Sequence, residues 1–199
     1  MLDNLKDYHI ILASNSPRRR ELLAGLDIPF EVKVLPDIAE SYPANLPVTD
    51  IAEYIAREKA DAYRQQMDSH DLIITADTVV IVDDEVMGKP VDAADARRML
   101  LKLSGRTHQV TTGVCLTTAT RQRAFSVTTD VTFKQLSEEE IAHYIDCYRP
   151  FDKAGAYGIQ EWIGYIGVTA LQGSYFNVMG LPVQRIYSEL VNTFAHQSV

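Results

Sequence analysis

The chain has 199 residues, of which 46% are hydrophobic and 23% charged; these values are near the averages of globular proteins and predict a single domain over residues 1–199. Its formal net charge of -8 excludes a broad nucleic-acid or membrane surface, because such surfaces need a basic face. The two cysteines form no CxxC pair and the first residues lack the basic and apolar regions of a signal peptide, so we expect a cytoplasmic protein. No apolar run approaches the roughly 18 residues that cross a bilayer, so we expect no membrane partner.

The first two predicted elements are a strand at about 9–13 and a helix at about 17–26 that begins with three arginines. Ser16-Pro17 is typical of a helix start, where unsatisfied N–H groups and the macrodipole already carry positive charge. Arginines at this position are repelled unless an anion lies at the helix end. The pattern favours a phosphate-binding site, and the alternative is an ordinary basic turn on the surface.

The helical period indicates which of these arginines face inward. Leu22 and Leu23 belong to the apolar stripe of the helix, and residues four apart share a face. Arg18 and Arg19 precede those leucines by four residues, so we expect them on the buried side. Arg20 falls on another face and is expected to be solvated.

A half-buried strand is predicted at 30–35 from its strict alternation of apolar and polar residues, and a polar loop containing Glu40 follows it. A long amphipathic helix from about 48 to 67 comes next, with Thr49 or Asp50 as its cap. Lys59 lies on the apolar stripe of this helix. A lysine in that position must either extend its ammonium group to water or meet an anion.

The run 72–82 is almost continuously apolar and predicts a central strand buried on both faces, with Asp77 in its middle. An unpaired carboxylate there costs several kcal/mol or shifts its pKa until it is neutral, so Asp77 needs a cation. The candidates are a divalent metal with Glu40 as a second ligand, or one of Lys59 and Lys89. The alternative is a buried ion pair with a structural role only.

The second half of the chain mixes strands and helices. Alternating strands and helices followed by a hairpin predict an α/β fold with a mixed, twisted sheet, arranged as two lobes around a cleft. The predicted elements are a helix at 92–103, a hairpin of 110–118 and 124–134, a helix from the capping box at Ser137 to about 148, short irregular strands in the glycine-rich stretch 155–180, and a final helix at 181–195.

Seven segments of the sequence share their order with a known family. Leu12–Leu23 resembles the opening motif of the Maf family of nucleoside triphosphate pyrophosphatases. The other segments are Ala56–Ala60, Ala76–Val80, Gly88–Pro90, Ser104–Val110, Asp152–Gln160 and Gly173–Pro182. The resemblance covers essentially the whole chain. It implies an inosine-triphosphatase-like fold with a nucleotide cleft, and hydrolysis of a nucleoside triphosphate to the monophosphate and pyrophosphate.

The resemblance also implies roles for individual residues. Asp77 matches the position of the proton acceptor, and Lys59 and Lys89 match charged positions of the substrate site, which makes these three the predicted catalytic residues. The predicted substrate-binding residues are Ser14, Arg18, Arg19, Thr78 and Gln160, of which Arg18, Thr78 and Gln160 match the specificity positions of the branch that acts on dTTP and UTP. One departure is Glu161-Trp162-Ile163, where many relatives have small, glycine-rich sequence.

The expected cofactor is Mg²⁺ or Mn²⁺, held by Asp77 and Glu40 together with phosphate oxygens, and Asp77 is either the base or a metal ligand. The expected partners are small-molecule nucleotides and no nucleic acid. A homodimer is among the assemblies left open. Two other functions remain as alternatives: a 7-methyl-GTP pyrophosphatase, and a non-catalytic nucleotide-binding regulator of cell division.

Overall fold

A seven-stranded mixed β-sheet organises the chain in the computed structural model, which describes residues 5–36, 38 and 40–194. The strands are β1 (His9–Leu12), β2 (Glu31–Val32), β3 (Asp71–Val82), β4 (Glu85–Met87), β5 (Thr107–Thr117), β6 (Gln122–Phe133) and β7 (Val168–Gln172). They lie in the order β2-β1-β3-β5-β6-β7, and β4 pairs with β3. β1 runs parallel to β2 and β3, whereas β4 is antiparallel to β3 and β7 to β6.

Seven α-helices accompany the sheet in the described residues, so the predicted α/β class with a mixed sheet is confirmed. The helices are α1 (Pro17–Ala24), α2 (Ile51–Arg64), α3 (Ala93–Leu103), α4 (Glu138–Tyr148), α5 (Trp162–Gly167), α6 (Tyr175–Met179) and α7 (Val183–Thr193). A 3₁₀ turn spans Ala154–Ala156. The predicted end of the last helix at residue 195 lies outside the described residues. No described helix combines the length and the apolar character that crossing a membrane requires.

Side-chain caps confirm three of the predicted helix starts. Ser16 and Asp92 each accept a hydrogen bond from the backbone N–H three residues later, and Ser137 forms a full capping box with Glu140. Asp50, one of the two residues predicted to cap α2, lies at its N-cap position, but its side chain makes no capping bond and accepts from the Thr49 hydroxyl instead.

The strand predicted at 30–35 is much shorter than its alternation suggested, since only Glu31 and Val32 pair with β1. Beyond them, the Tyr63 hydroxyl donates to the Lys33 carbonyl at 3.0 Å and accepts from the Leu35 N–H at 2.9 Å. A tyrosine side chain from α2 therefore satisfies backbone groups that a longer strand would have paired in the sheet.

The glycine-rich stretch 155–180 is also different from its prediction. It forms the 3₁₀ turn, α5, β7 and α6 rather than a set of short irregular strands. Gly173 has φ of 131°, and the Ser174 hydroxyl then accepts from the Asn177 N–H at 3.3 Å to begin α6. Glycines such as Gly173 lie between helices and strands, so the high glycine content did not prevent helix formation.

The chain divides into two compact units that are interleaved in sequence. The first contains Met1–Asp77, Thr112–Val127 and Gly180–Val199, and the second contains Thr78–Thr111 and Thr128–Met179. Neither unit is a continuous segment, and the single domain over 1–199 stays a prediction. In the first unit, a Cβ at Gly113 would lie 2.2 Å from backbone atoms of Ala52 and Glu53, so the β5 glycine permits the close approach of α2.

The core of the second unit contains a buried histidine. His108 is 1% exposed, its Nε2 lies 2.7 Å from the Tyr157 hydroxyl, and its ring packs edge-on against Phe133. Its Nδ1 has no hydrogen-bond partner. Because burial disfavours the imidazolium ion, the pKa of His108 falls from 6.5 to about 4.

This pKa predicts that His108 destabilises the folded chain as the pH falls. Between about pH 6.5 and 4 the unfolded chain binds a proton at this residue that the folded chain does not, so unfolding becomes easier. From pH 7.5 to 5.0 the contribution is on the order of 2 kcal/mol. Urea unfolding at both pH values, for the native protein and His108→Phe, should show a larger loss of free energy of unfolding in the native protein. Equal losses in the two proteins would contradict the assignment.

Candidate functional site

Three charged side chains of the first unit meet at one point. The Lys59 ammonium nitrogen lies 3.0 Å from Asp77 Oδ1 and 2.7 Å from Glu40 Oε1. The side chains of Lys59 and Asp77 are each 13% exposed, whereas that of Glu40 is 49% exposed. Removing either partner of the Lys59–Asp77 pair would leave an uncompensated charge, whereas the more exposed Glu40 contributes less. Of the two lysines considered as partners of Asp77, Lys59 and Lys89, it is Lys59 that lies beside it.

The local fold explains why this lysine meets this carboxylate. Lys59 follows the buried Ile55 by four residues on α2, as the helical period predicted. The buried Thr75 hydroxyl donates to the Ala56 carbonyl at 2.6 Å. This bond fixes α2 to β3 two residues before Asp77. The helix that carries the cation is therefore attached directly to the strand that carries the anion.

The start of α1 is built by two serines. The Ser16 hydroxyl accepts from the Arg19 N–H at 3.4 Å, and the Ser14 hydroxyl accepts from the Ser16 N–H at 3.2 Å. Ser14 is buried, so its hydroxyl serves the turn that leads from β1 into the helix. These contacts confirm the predicted helix start at Pro17.

The Arg19 guanidinium is directed at backbone oxygens. Its Nε donates to the Gly180 carbonyl at 2.9 Å, and its Nη1 donates to the Ala76 carbonyl at 2.8 Å and contacts the Ser14 hydroxyl at 3.5 Å. Burial lowers the pKa of Arg19, and the charge of Asp77 acts in the opposite direction. The dipoles of these carbonyls thus offset part of the repulsion between the Arg19 charge and the helix macrodipole. From the sequence, only an anion was expected in this position.

The predicted faces of the arginines are confirmed. Arg18 and Arg19 are half-buried, whereas Arg20 is exposed. The helical period alone was sufficient for this assignment.

The other predicted site residues belong to the second unit. Thr78 directly follows Asp77 on β3 and is half-buried, and Lys89 is exposed in the loop after β4. Gln160 is half-buried in a turn, and its Oε1 is a buried atom without a hydrogen-bond partner. An unsatisfied buried acceptor costs about 1–3 kcal/mol, which makes Gln160 a candidate for contact with a ligand that donates a hydrogen bond.

The carboxylates of the first unit fit a divalent cation in their donor chemistry. Asp77 and Glu40 each direct an oxygen at the same ammonium nitrogen, so both already converge on a positive charge. Within the described part of the chain, no group of three or more histidine, cysteine, aspartate or glutamate side chains has the arrangement of a metal site. One or two carboxylates supplemented by phosphate oxygens are a typical environment for Mg²⁺.

Sequence reasoning missed a second cluster of polar residues, formed by the buried Tyr144 and Lys153 and the half-buried Glu161. The Lys153 ammonium lies 3.0 Å from Glu161 Oε1, and the Tyr144 hydroxyl donates to Glu161 Oε2. The one available signal was Glu161 itself, which stood out as a departure from the small residues expected after Gln160.

Comparison with known proteins identifies close relatives along nearly the whole chain. The sequence model of Maf-like proteins matches residues 9–193. A protein of Phocaeicola vulgatus named dTTP/UTP pyrophosphatase is 65% identical over 190 residues, which cover 96% of this chain and 98% of the relative. Proteins with the same name from Porphyromonas gingivalis and Flavobacterium psychrophilum are 60% and 49% identical over 192 and 183 residues, covering 96% and 92% of this chain and 96% and 93% of the relatives.

Solved structures of lower similarity were also found. The Staphylococcus aureus Ham1 protein matches with a TM-score of 0.45 and 15% identity, over 63% of this chain and 71% of that one. A nucleoside-triphosphatase, also named dITP/XTP pyrophosphatase, of Mycobacterium abscessus has a TM-score of 0.44 and 16% identity, over 96% of this chain and 100% of that one.

The contacts of Arg19 predict a structural role that its neighbour does not share. Arg19→Ala removes charged hydrogen bonds to two backbone carbonyls and should lower the free energy of unfolding by about 1.5–3 kcal/mol. Arg20→Ala, at an exposed position of the same helix, should change it by less than about 0.5 kcal/mol. Urea unfolding followed by circular dichroism measures both values, and equal effects would argue against Arg19 as a structural contact.

Proposed function

This chain belongs to the family of Maf-like proteins, and from that premise we propose that it is a hydrolase that converts dTTP and UTP to the monophosphate and pyrophosphate. The curated relatives at 65%, 60% and 49% identity all carry the name of this activity. Its partners are small-molecule nucleotides, and we place it in the cytoplasm.

The observation that carries the proposal is the meeting of Lys59 with Asp77 and Glu40. A protein that only binds a triphosphate needs positive charge but has no use for carboxylates, which repel the phosphates. Two carboxylates held next to an ammonium group provide both a charge for phosphate and a group that can accept a proton or hold a metal. The arrangement therefore favours hydrolysis over a purely regulatory binding role.

Cleavage between the α and β phosphates requires a water molecule in line with the departing pyrophosphate and neutralisation of charge. Lys59, Arg18 and Lys89 supply positive charge to the phosphates in this proposal. Arg19 contributes chiefly by holding the middle of β3 through the Ala76 carbonyl, immediately before Asp77.

Asp77 acts on the attacking water, either by accepting its proton or by holding a cation that polarises it. A Mg²⁺ or Mn²⁺ ion bound by Asp77, Glu40 and phosphate oxygens would supply Lewis acidity and lower the pKa of the water. When phosphate oxygens approach Lys59, its ammonium group gains a third anionic partner beside Asp77 and Glu40. Asp77 then shares the lysine less tightly and becomes available for either role.

Gln160 recognises the base. Its carboxamide offers one acceptor and two donors, which suit the alternating carbonyl and N–H groups on the edge of uracil and thymine. The buried Oε1 of Gln160 has no partner, and the N–H of a pyrimidine base would satisfy it. Thr78 is the second residue that we assign to base selection.

Asp77→Asn should abolish most pyrophosphate release while retaining nucleotide binding. The change removes charge and basicity but keeps the volume of the side chain, so kcat should fall by at least about a hundredfold. Pyrophosphate release and calorimetric binding of dTTP measure the two effects separately.

Asp84→Asn is the matched control for this experiment. Asp84 is exposed in a turn with φ of 58°, a conformation that asparagine also adopts, and the variant should keep native turnover. Near-native activity in Asp77→Asn would remove Asp77 from the mechanism.

Gln160→Ala should change which base is accepted more than whether the anhydride is cut. A lost neutral hydrogen bond costs about 0.5–1.5 kcal/mol, so the preference for dTTP over CTP should fall by a few-fold to about tenfold. The measurement is kcat/KM for dTTP, UTP, CTP and GTP with both proteins.

Two results of the same panel would overturn the assignment. If GTP or 7-methyl-GTP is the best substrate of the native protein, the proposed substrate class is wrong. If orthophosphate is the primary product, the bond cleaved lies between the β and γ phosphates, and the pyrophosphatase assignment fails.

A further inference from the structure

The turn that carries Gln160 is tied at both ends to one hydroxyl group. The Glu161 N–H donates to the Gly158 carbonyl at 2.9 Å, which makes Gln160 the third residue of a four-residue turn. The Gly158 N–H donates to the Tyr144 hydroxyl at 3.0 Å, and that hydroxyl donates in turn to the Glu161 carboxylate. Tyr144 therefore bridges the first and last residues of the turn.

The bridge is buried and supported by a lysine. Tyr144 is fully buried on α4, and burial raises the pKa of its hydroxyl, which stays protonated and able to donate. Lys153 is 7% exposed, and its ammonium lies 3.0 Å from Glu161 Oε1 and 2.8 Å from Asp152 Oδ1. Glu161 thus has a different partner for each carboxylate oxygen, and this limits how its side chain can move.

A larger residue in place of the glycine at the start of the turn would crowd three neighbouring side chains. A Cβ at Gly158 would lie 3.0 Å from Gln160 Nε2, 3.0 Å from Glu161 Cδ and 3.1 Å from Lys153 Cε. The Gln160 carboxamide is therefore packed close to the glycine that Tyr144 holds, alongside the side chains of Glu161 and Lys153. A shift of the turn would move the carboxamide with it.

We propose that Tyr144, Glu161 and Lys153 are positioning residues that determine base selectivity by fixing the Gly158–Glu161 turn and thereby the Gln160 carboxamide. This inference rests on the proposed function, in which Gln160 contacts the base. The three residues do not touch the substrate. They act through Gln160, because a carboxamide discriminates between bases only if its donor and acceptor are held in one orientation.

The central test is Tyr144→Phe, which keeps the ring and removes the hydroxyl. The ratio of kcat/KM for dTTP to that for CTP should fall roughly three- to tenfold. The change should appear mainly in KM for dTTP, with kcat altered by no more than about twofold, because the charged groups that act on the phosphates are unchanged. In a Gln160→Ala background the same substitution should produce no further loss of selectivity, since the residue through which it acts is gone.

Tyr157→Phe is the matched control, because it removes another buried tyrosine hydroxyl of the same unit, one that pairs with His108 instead of the turn. Its selectivity ratio should equal that of the native protein even where its melting temperature falls. Glu161 provides a second pair of variants that does not depend on the folding of Tyr144→Phe. Glu161→Gln retains an acceptor for the Tyr144 hydroxyl and should keep more of the selectivity than Glu161→Ala.

The proposal is overturned if folded Tyr144→Phe or Glu161→Ala keeps the native ratio. It is also overturned if Tyr157→Phe loses as much selectivity, or if Tyr144→Phe still lowers the ratio in the Gln160→Ala background. A native protein that shows no preference for dTTP and UTP would instead refute the proposed function, and the inference would fail with it. A native preference that all of these variants retain would refute the positioning role alone.

Discussion

A carboxylate in the middle of a buried strand is the constraint on which the first unit depends. Asp77 is 13% exposed on β3, and the ammonium group of Lys59 compensates its charge. This pairing requires a lysine on the otherwise apolar stripe of α2 and a fixed distance between helix and strand. The buried bond from Thr75 to the Ala56 carbonyl provides that distance. The position of Lys59 on α2 and the bond between α2 and β3 thus both serve to compensate the buried charge of Asp77.

At the start of α1 it is a positive charge that has to be compensated. Three arginines lie where the helix macrodipole is already positive, and Arg19 meets carbonyl oxygens on Ala76 and Gly180. Ala76 precedes Asp77 directly, so the residues on this short piece of β3 are held by one cation through the backbone and by another through a side chain. Such support on both sides provides the rigidity that the proposed role of Asp77 requires.

In the second unit, a neutral hydroxyl group holds a turn in position. Tyr144 connects Gly158 with Glu161, and the buried Lys153 completes the set of partners around Glu161. Charged groups in the first unit suit the polyanionic part of a nucleotide, whereas a held carboxamide suits the uncharged edge of a base. In the proposed enzyme, cleavage and base selection therefore depend on different chemistry, and substitutions should separate them.

Much of this was determined by the sequence alone: the mixed α/β class, the start of α1, the inward faces of Arg18 and Arg19, the apolar face around Lys59, and the need of Asp77 for a cation. Each of these follows from local periodicity or from burial. The tertiary structure decided the partners: Lys59 for Asp77, Gly180 and Ala76 for Arg19, Tyr63 for the backbone after β2, and Tyr144 for the Gln160 turn. These contacts join residues 14 to 161 positions apart. The chemistry of a side chain shows that it needs a partner, but only the fold determines which distant residue lies beside it.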